Sequence, residues 1–117
     1  MAFDLTSIDF RSGLHGVIFD DTAADATGSN EPIIAWDSTA QRIFIHLIEL
    51  GCACGFLTLF DGSAGSKIAG LRCITGAGFV TATWDFRSDP IRTDGTTNIC
   101  VSAAGVVHGT VKYELGS

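Results

Sequence analysis

The sequence predicts an all-β fold, an antiparallel β-sandwich or jelly roll of about eight strands. Three observations carry this. Short runs rich in Val, Ile, Phe and Thr recur along the chain, and glycine-rich turns punctuate them. Within several runs apolar and polar residues alternate with the period of two that marks a half-buried strand. No stretch keeps the apolar spacing of an amphipathic helix. The chain has 117 residues, with 14 glycines and only 2 prolines. That length supports one domain: residues 14–117 form the sandwich, and residues 1–13 are either an N-terminal arm or an extra edge strand.

The elements follow in order. At the N-terminus Phe3, Leu5, Ile8 and Phe10 are interleaved with Asp4, Thr6, Ser7 and Asp9, which makes the four apolar residues candidates for contact with a neighbouring molecule. Residues 14–19 read as the first core strand. Residues 20–31 are acidic and polar, contain Gly28, Ser29 and Asn30, and read as an exposed connection. A short strand at 33–36 ends in the turn Asp37-Ser38.

Residues 41–50 are the longest strand candidate. Strict alternation sends Ile43, Ile45 and Leu47 one way and Phe44, His46, Ile48 and Leu50 the other, so both faces are apolar and a second cover is expected there. A turn at Cys52-Ala53-Cys54-Gly55 leads to a strand at 56–60. Asp61 to Ser66, all Gly and small polar residues after the aspartate, form a hairpin loop, and 67–75 return. After the turn Gly76-Ala77-Gly78, residues 79–86 alternate Val80, Ala82, Trp84 and Phe86 against Thr81, Thr83 and Asp85. Asp89-Pro90 ends pairing, because proline has no ladder donor. Residues 98–103 and 107–115 close the chain as a hairpin over Ala104-Gly105, with Val107, Val111, Tyr113 and Leu115 inward.

Composition removes several functions. Thirteen acidic against seven basic residues give a net charge of -6, the wrong sign for holding nucleic acid. Residues 43–60 are the most membrane-like stretch, but they contain His46 and Glu49 and read as strands, so no membrane span is expected. Met1-Ala2-Phe3-Asp4 offers no basic leader, so no secretory signal is read. The four cysteines, Cys52, Cys54, Cys73 and Cys100, lack knuckle spacing and read as reduced, small apolar residues.

Catalytic signatures do not occur: there is no Gly-x-Ser-x-Gly elbow, no His-Glu-x-x-His, no phosphate loop and no dinucleotide fingerprint. His15, His46 and His108 are scattered, and Asp20, Asp21 and Asp25, like Asp85 and Asp89, read as solvated carboxylates. The expectation is a protein without enzymatic activity, cofactor or metal. A different class, a carbohydrate- or receptor-binding sandwich, would use Trp36 and Trp84, with Tyr113, as stacking surfaces for sugar rings. With only 17% charged residues, leftover apolar surface is expected to serve self-association.

The second half carries a resemblance. Phe56-Leu-Thr-Leu-Phe-Asp-Gly-Ser-Ala-Gly-Ser-Lys-Ile-Ala69, Asp89-Pro-Ile-Arg92 and Asn98-Ile-Cys-Val-Ser-Ala-Ala-Gly-Val-Val-His-Gly-Thr-Val-Lys-Tyr-Glu114 resemble a class of small all-β virion proteins of tailed phages. Cys52-Ala-Cys-Gly55 departs from that pattern. The resemblance implies a capsid decoration (cement) or head–tail accessory protein, located in the virion and assembled in the host cytoplasm. The implied partners are the major capsid protein or another virion protein and copies of the chain itself, a trimer being one such assembly. The class supplies no ligand motif, so it assigns no site residue.

Overall fold

The computed structural model describes residues 3–11, 14–21, 26–35, 42–62, 66–72, 78–93 and 98–116. Among them there are eight strands and no helix: β1 (Phe3–Arg11), β2 (Leu14–Asp21), β3 (Ala26–Ile34), β4 (Arg42–Asp61), β5 (Ser66–Arg72), β6 (Val80–Asp85), β7 (Ile91–Arg92) and β8 (Ile99–Gly116). Every pairing is antiparallel. β4 and β8 pair along their whole lengths and form the spine. Around the first part of β4 the strand order is β1-β2-β8-β4, with β6 and β7 on the far side. Around its second part β3 pairs with β8 and β5 with β4. The spine therefore runs through two successive antiparallel ladders.

The spine must bend. A straight strand of 20 residues would span roughly 65 Å, whereas the longest dimension of the molecule is 44 Å. The ladder slips between Ala53 and Phe56, where β4 holds one residue more than β8. A bulge of this kind kinks the strand and raises its twist. The expected turn at Cys52–Gly55 is thus a bulge within one continuous strand. Likewise the expected hairpin over Ala104-Gly105 is absent: β8 continues through it, with Ala104 opposite Phe56 and Val106 opposite Ala53. Residues 26–31, expected to lie in a connection, pair with β8 as the first part of β3. The hairpin expected after Asp61 is present, closing β4 on β5 with Asp61 opposite Ser66.

A second slip corrects the reading of β4 as apolar on both faces. Ile45 faces Tyr113 and Leu47 faces Lys112, so His46 is the extra residue and the side-chain alternation changes phase there. Ile43 and Ile45 before the bulge share the inner face with Ile48, Leu50 and Cys52 after it, and all five are buried. The second bulge shifts the phase again and brings Leu57 and Leu59 onto that same face. One sheet face thus receives the strand's fully buried side chains except Leu47, which is buried on the back face between Asp85 and Lys112, while Phe44, Phe56 and Phe60 lie away from the core face, half-buried or exposed.

The core is one cluster fed by both ladders. Val17 and Phe19 from β2, Ile33 and Ile34 from β3, the inner residues of β4, and Ile99, Val101, Ala103, Val107 and Val111 from β8 pack together. Each fully buried aliphatic or aromatic side chain contributes about 1.5–3 kcal/mol. Trp84 packs on this cluster from β6, opposite Ile48. The inward set expected on the last strand holds for Val107 and Val111. Tyr113 is half-buried against the core, and Leu115 is exposed near the strand end.

Candidate functional site

The outer face of β4 and β5 carries an open groove of about 430 Å³. Its long side is Phe56 and Thr58 from β4, and Ile68, Gly70 and Arg72 face them from β5, with Lys67 at the other end. The register sets Phe56 opposite Arg72 and Thr58 opposite Gly70. Five positions separate Lys67 from Arg72, a spacing that would ordinarily put them on opposite faces. The ladder slips between Leu59 and Phe60, so that Ile68 is an extra residue and Lys67 faces Phe60. That slip turns Lys67 to the groove side together with Arg72.

Two features distinguish this groove. Phe56 is a large apolar side chain left 41% exposed. Opposite Thr58, Gly70 adds no side chain and leaves the floor open. Neither Lys67 nor Arg72 makes an ion pair among the described residues. On a chain with seven basic residues and a net charge of -6, two cations without an ion-pair partner among the described residues, at the ends of one groove, form a local patch opposite in sign to the molecule. Such a patch attracts acidic partners.

The second hollow differs in its electrostatics. Leu14, His46, Arg87 and Lys112 line about 340 Å³. Arg87 is held by Asp85: its Nε donates to Oδ1 at 2.9 Å and its Nη2 to Oδ2 at 2.6 Å, and the Arg87 backbone N–H also donates to Oδ1 at 3.0 Å. These bonds, the side-chain ones first, pull the Asp85 carboxyl down from its ordinary 3.8 to about 2. His46, the bulged residue, has Nε2 3.5 Å from Glu114 Oε1. The Arg87 charge in this hollow is therefore matched locally.

The remaining candidates lie apart. His15 Nδ1 is 2.7 Å from Asp9 Oδ1, and its ring lies 5.6 Å from that of Tyr113. Burial first, and the Asp9 charge second, push the Tyr113 phenol up. His108 stacks on Phe79, with centroids 4.9 Å apart and planes 9° from parallel. This stack covers Gly51, where a Cβ would stand 2.6 Å from the Phe79 ring. Cys52 and Cys100 are buried thiols, and burial raises the Cys100 pKa. No group of three or more His, Cys, Asp or Glu side chains gathers as metal ligands among the described residues.

Of the residues singled out in the sequence, Leu5 is exposed and Ile8 half-buried on β1. Phe3 and Phe10 belong to the same strand, but their side chains lie outside those described. Trp84 is half-buried on the core, whereas Trp36, Asp25 and Cys73 lie outside the described residues. The groove residues Phe56, Lys67, Gly70 and Arg72 were not singled out. A strand bearing two cations and no carboxylate was a visible signal; the bulge that aligns the cations was not. No family model, no curated protein and no solved structure matches the chain.

Proposed function

We propose that this chain is a non-enzymatic structural protein of a phage virion, a capsid decoration or head–tail accessory protein that acts through oligomeric β-sheet contacts. In this reading the two ladders face each other as a sandwich; the shared apolar core supports that arrangement. The observation that carries the proposal is the placement of polar and apolar groups. The core is built of aliphatic and aromatic side chains, and the large exposed apolar residues, Leu5, Phe56, Phe79, Val106 and Leu115, are spread over the surface and strand edges. Such a skin suits area-based, multivalent attachment to a shell.

The test is co-sedimentation of the purified chain with capsids assembled from the major capsid protein encoded beside it. Binding that saturates at a fixed number of copies per capsid supports the proposal. A gene neighbourhood without capsid or portal genes, or a chain that stays in the supernatant, overturns it.

The groove favours a second reading, a carbohydrate- or receptor-binding module. Phe56 offers a stacking face for a sugar ring, and Lys67 and Arg72 suit acidic substituents at either end. Glycan-array binding that Phe56→Ala abolishes, with the fold intact by circular dichroism, supports this reading over the first.

A further inference from the structure

The strand network of the described residues ends in open edges, and they differ in charge. β1 is bonded only to β2 and β5 only to β4. β3, with the sequence ATGSNEPII, carries Glu31 and also Pro32, which has no N–H to donate. β6, VTATWD, ends in Asp85, and β7 is two residues long. β5, SKIAGLR, carries Lys67 and Arg72 with neither carboxylate nor proline. β1, FDLTSIDFR, carries Asp4 and Asp9 and one cation, Arg11, and is net acidic. Against β5 it meets cations.

We infer that β1 of one copy of the chain adds to the β5 edge of a second copy, head to tail. The inference deepens the oligomeric part of the proposed function and rests on it. The antiparallel register that sets Asp4 opposite Arg72 also sets Leu5 opposite Leu71, Thr6 opposite Gly70 and Ser7 opposite Ala69; past the extra residue Ile68, Lys67 falls opposite Ile8 on the groove side, while Asp9 shares the core side with Leu5. Asp4 meets Arg72, Leu5 meets Leu71 and small residues meet small ones, the pairings that stabilise adjacent strands. Faces agree as well. Leu5 shares a face with Phe19, and Leu71 shares one with Leu57, so their junction continues the core side of both sheets. Leu5 is 39% exposed despite lying on that core side, and a neighbouring β5 would cover it.

The two joined surfaces are different, so the contact is heterologous; it closes into a ring or continues as a filament. The same main-chain pairing underlies strand addition in peptide recognition. The net acidic edge of β1 and the basic edge of β5 attract each other, and β5–β5 contacts are disfavoured.

Light scattering on the full chain across a range of concentration and salt tests this. The native chain should have a mass that is a multiple of the monomer and falls as salt rises. Arg72→Glu, and separately Asp4→Lys, should each weaken association at least about tenfold. An equimolar mixture of the two variants should regain the native mass, because each reversed edge then meets a complementary one. Circular dichroism on each variant guards against loss of the fold. A native chain that is monomeric throughout overturns the inference, as does a mixture of folded variants that fails to reassemble. If both variants keep the native mass, the edge pairing is wrong while the oligomeric reading survives on another surface. Capture of an acidic glycan or peptide by Lys67 and Arg72 on a monomeric chain also overturns it, in favour of a ligand groove.

Discussion

Gly109 offers the sharpest test of how the spine is packed. It lies on the inner face of β8, opposite Phe19 on one side and Leu50 on the other. A Cβ built there would stand 2.2 Å from Phe19 Cζ, 2.5 Å from its Cε1 and 3.0 Å from Leu50 Cδ2. Carbon atoms pack best at about 3.5–4.0 Å, so in Gly109→Ala the ring must retreat by more than about 1 Å. Phe19 is fully buried and Leu50 is 1% exposed, so the ring can retreat only into occupied space. Overpacking of this kind costs about 1–3 kcal/mol. Against it, alanine reduces the freedom of the unfolded strand, a gain of about 0.5–1 kcal/mol over glycine. The expected result is a net destabilisation of about 1–2 kcal/mol. Urea denaturation measures it, through a lower midpoint at unchanged slope.

A double-mutant cycle with Phe19→Leu then locates the cause. The shorter side chain removes the atoms nearest the new methyl. Gly109→Ala should therefore cost little in the Phe19→Leu background, with a coupling of about 1 kcal/mol or more. A Gly109→Ala protein as stable as its parent, or additive effects in the cycle, would refute the claim that the Phe19 ring lies over this glycine.

Three further outcomes are expected. Native-state alkylation read by peptide mass mapping should leave Cys52 and Cys100 unmodified until denaturant is added, since both thiols are buried and burial disfavours the Cys100 thiolate; modification of either in the native state contradicts this. The Asp85 carboxyl should titrate near 2 by NMR and return towards 3.8 in Arg87→Gln. Because the folded pKa lies below the unfolded one, the pair's contribution to stability is present above about pH 4 and is lost as pH falls through about 2; its exposure to solvent keeps that contribution small, and an unshifted midpoint in the native chain would sink the assignment. Trp84→Ala should lower stability by about 2 kcal/mol, less than for a fully buried tryptophan, because the ring is half-buried on the core; an unchanged melting temperature would mean that the ring does not pack there.

Much of the architecture was legible in the residues, and its failures share a cause. The alternation of Val80, Ala82 and Trp84 against Thr81, Thr83 and Asp85 gives the inner and outer faces of β6 directly. The Gly-Ser-rich loop after Asp61 marks a hairpin because its chemistry is local. His46 carries no such mark. Nothing in Ile43-Phe-Ile-His-Leu-Ile48 distinguishes a bulged strand from a regular one, since the extra residue is defined only against the partner strand β8. Ala104-Gly105 shows the reverse error. A small-residue pair reads as a turn, but here it lies opposite the bulge of β4 and carries β8 through the bend. The groove at Lys67 and Arg72 was hidden for the same reason, because a slip at Ile68 decides whether the two cations share a face.

The bulge at His46 also relocates the surface available for association. Read as a regular strand, β4 would need a partner across its back face, and association would be driven by apolar area. With the phase change, Ile43, Ile45, Ile48, Leu50, Leu57 and Leu59 are satisfied by one core, and Leu47 is buried on the other face. Among the described residues the large exposed apolar side chains include Leu5 on β1 and Phe56 beside β5, close to the two ends of the strand order β1-β2-β8-β4-β5. Contacts at such places are made by main-chain hydrogen bonds whose register is set by the opposed side chains. Charge is then the selective element, because the hydrogen bonds of a β-ladder do not distinguish one edge from another. Salt should therefore weaken the edge pairing proposed above, whereas an interface made of apolar faces would be held or strengthened by it.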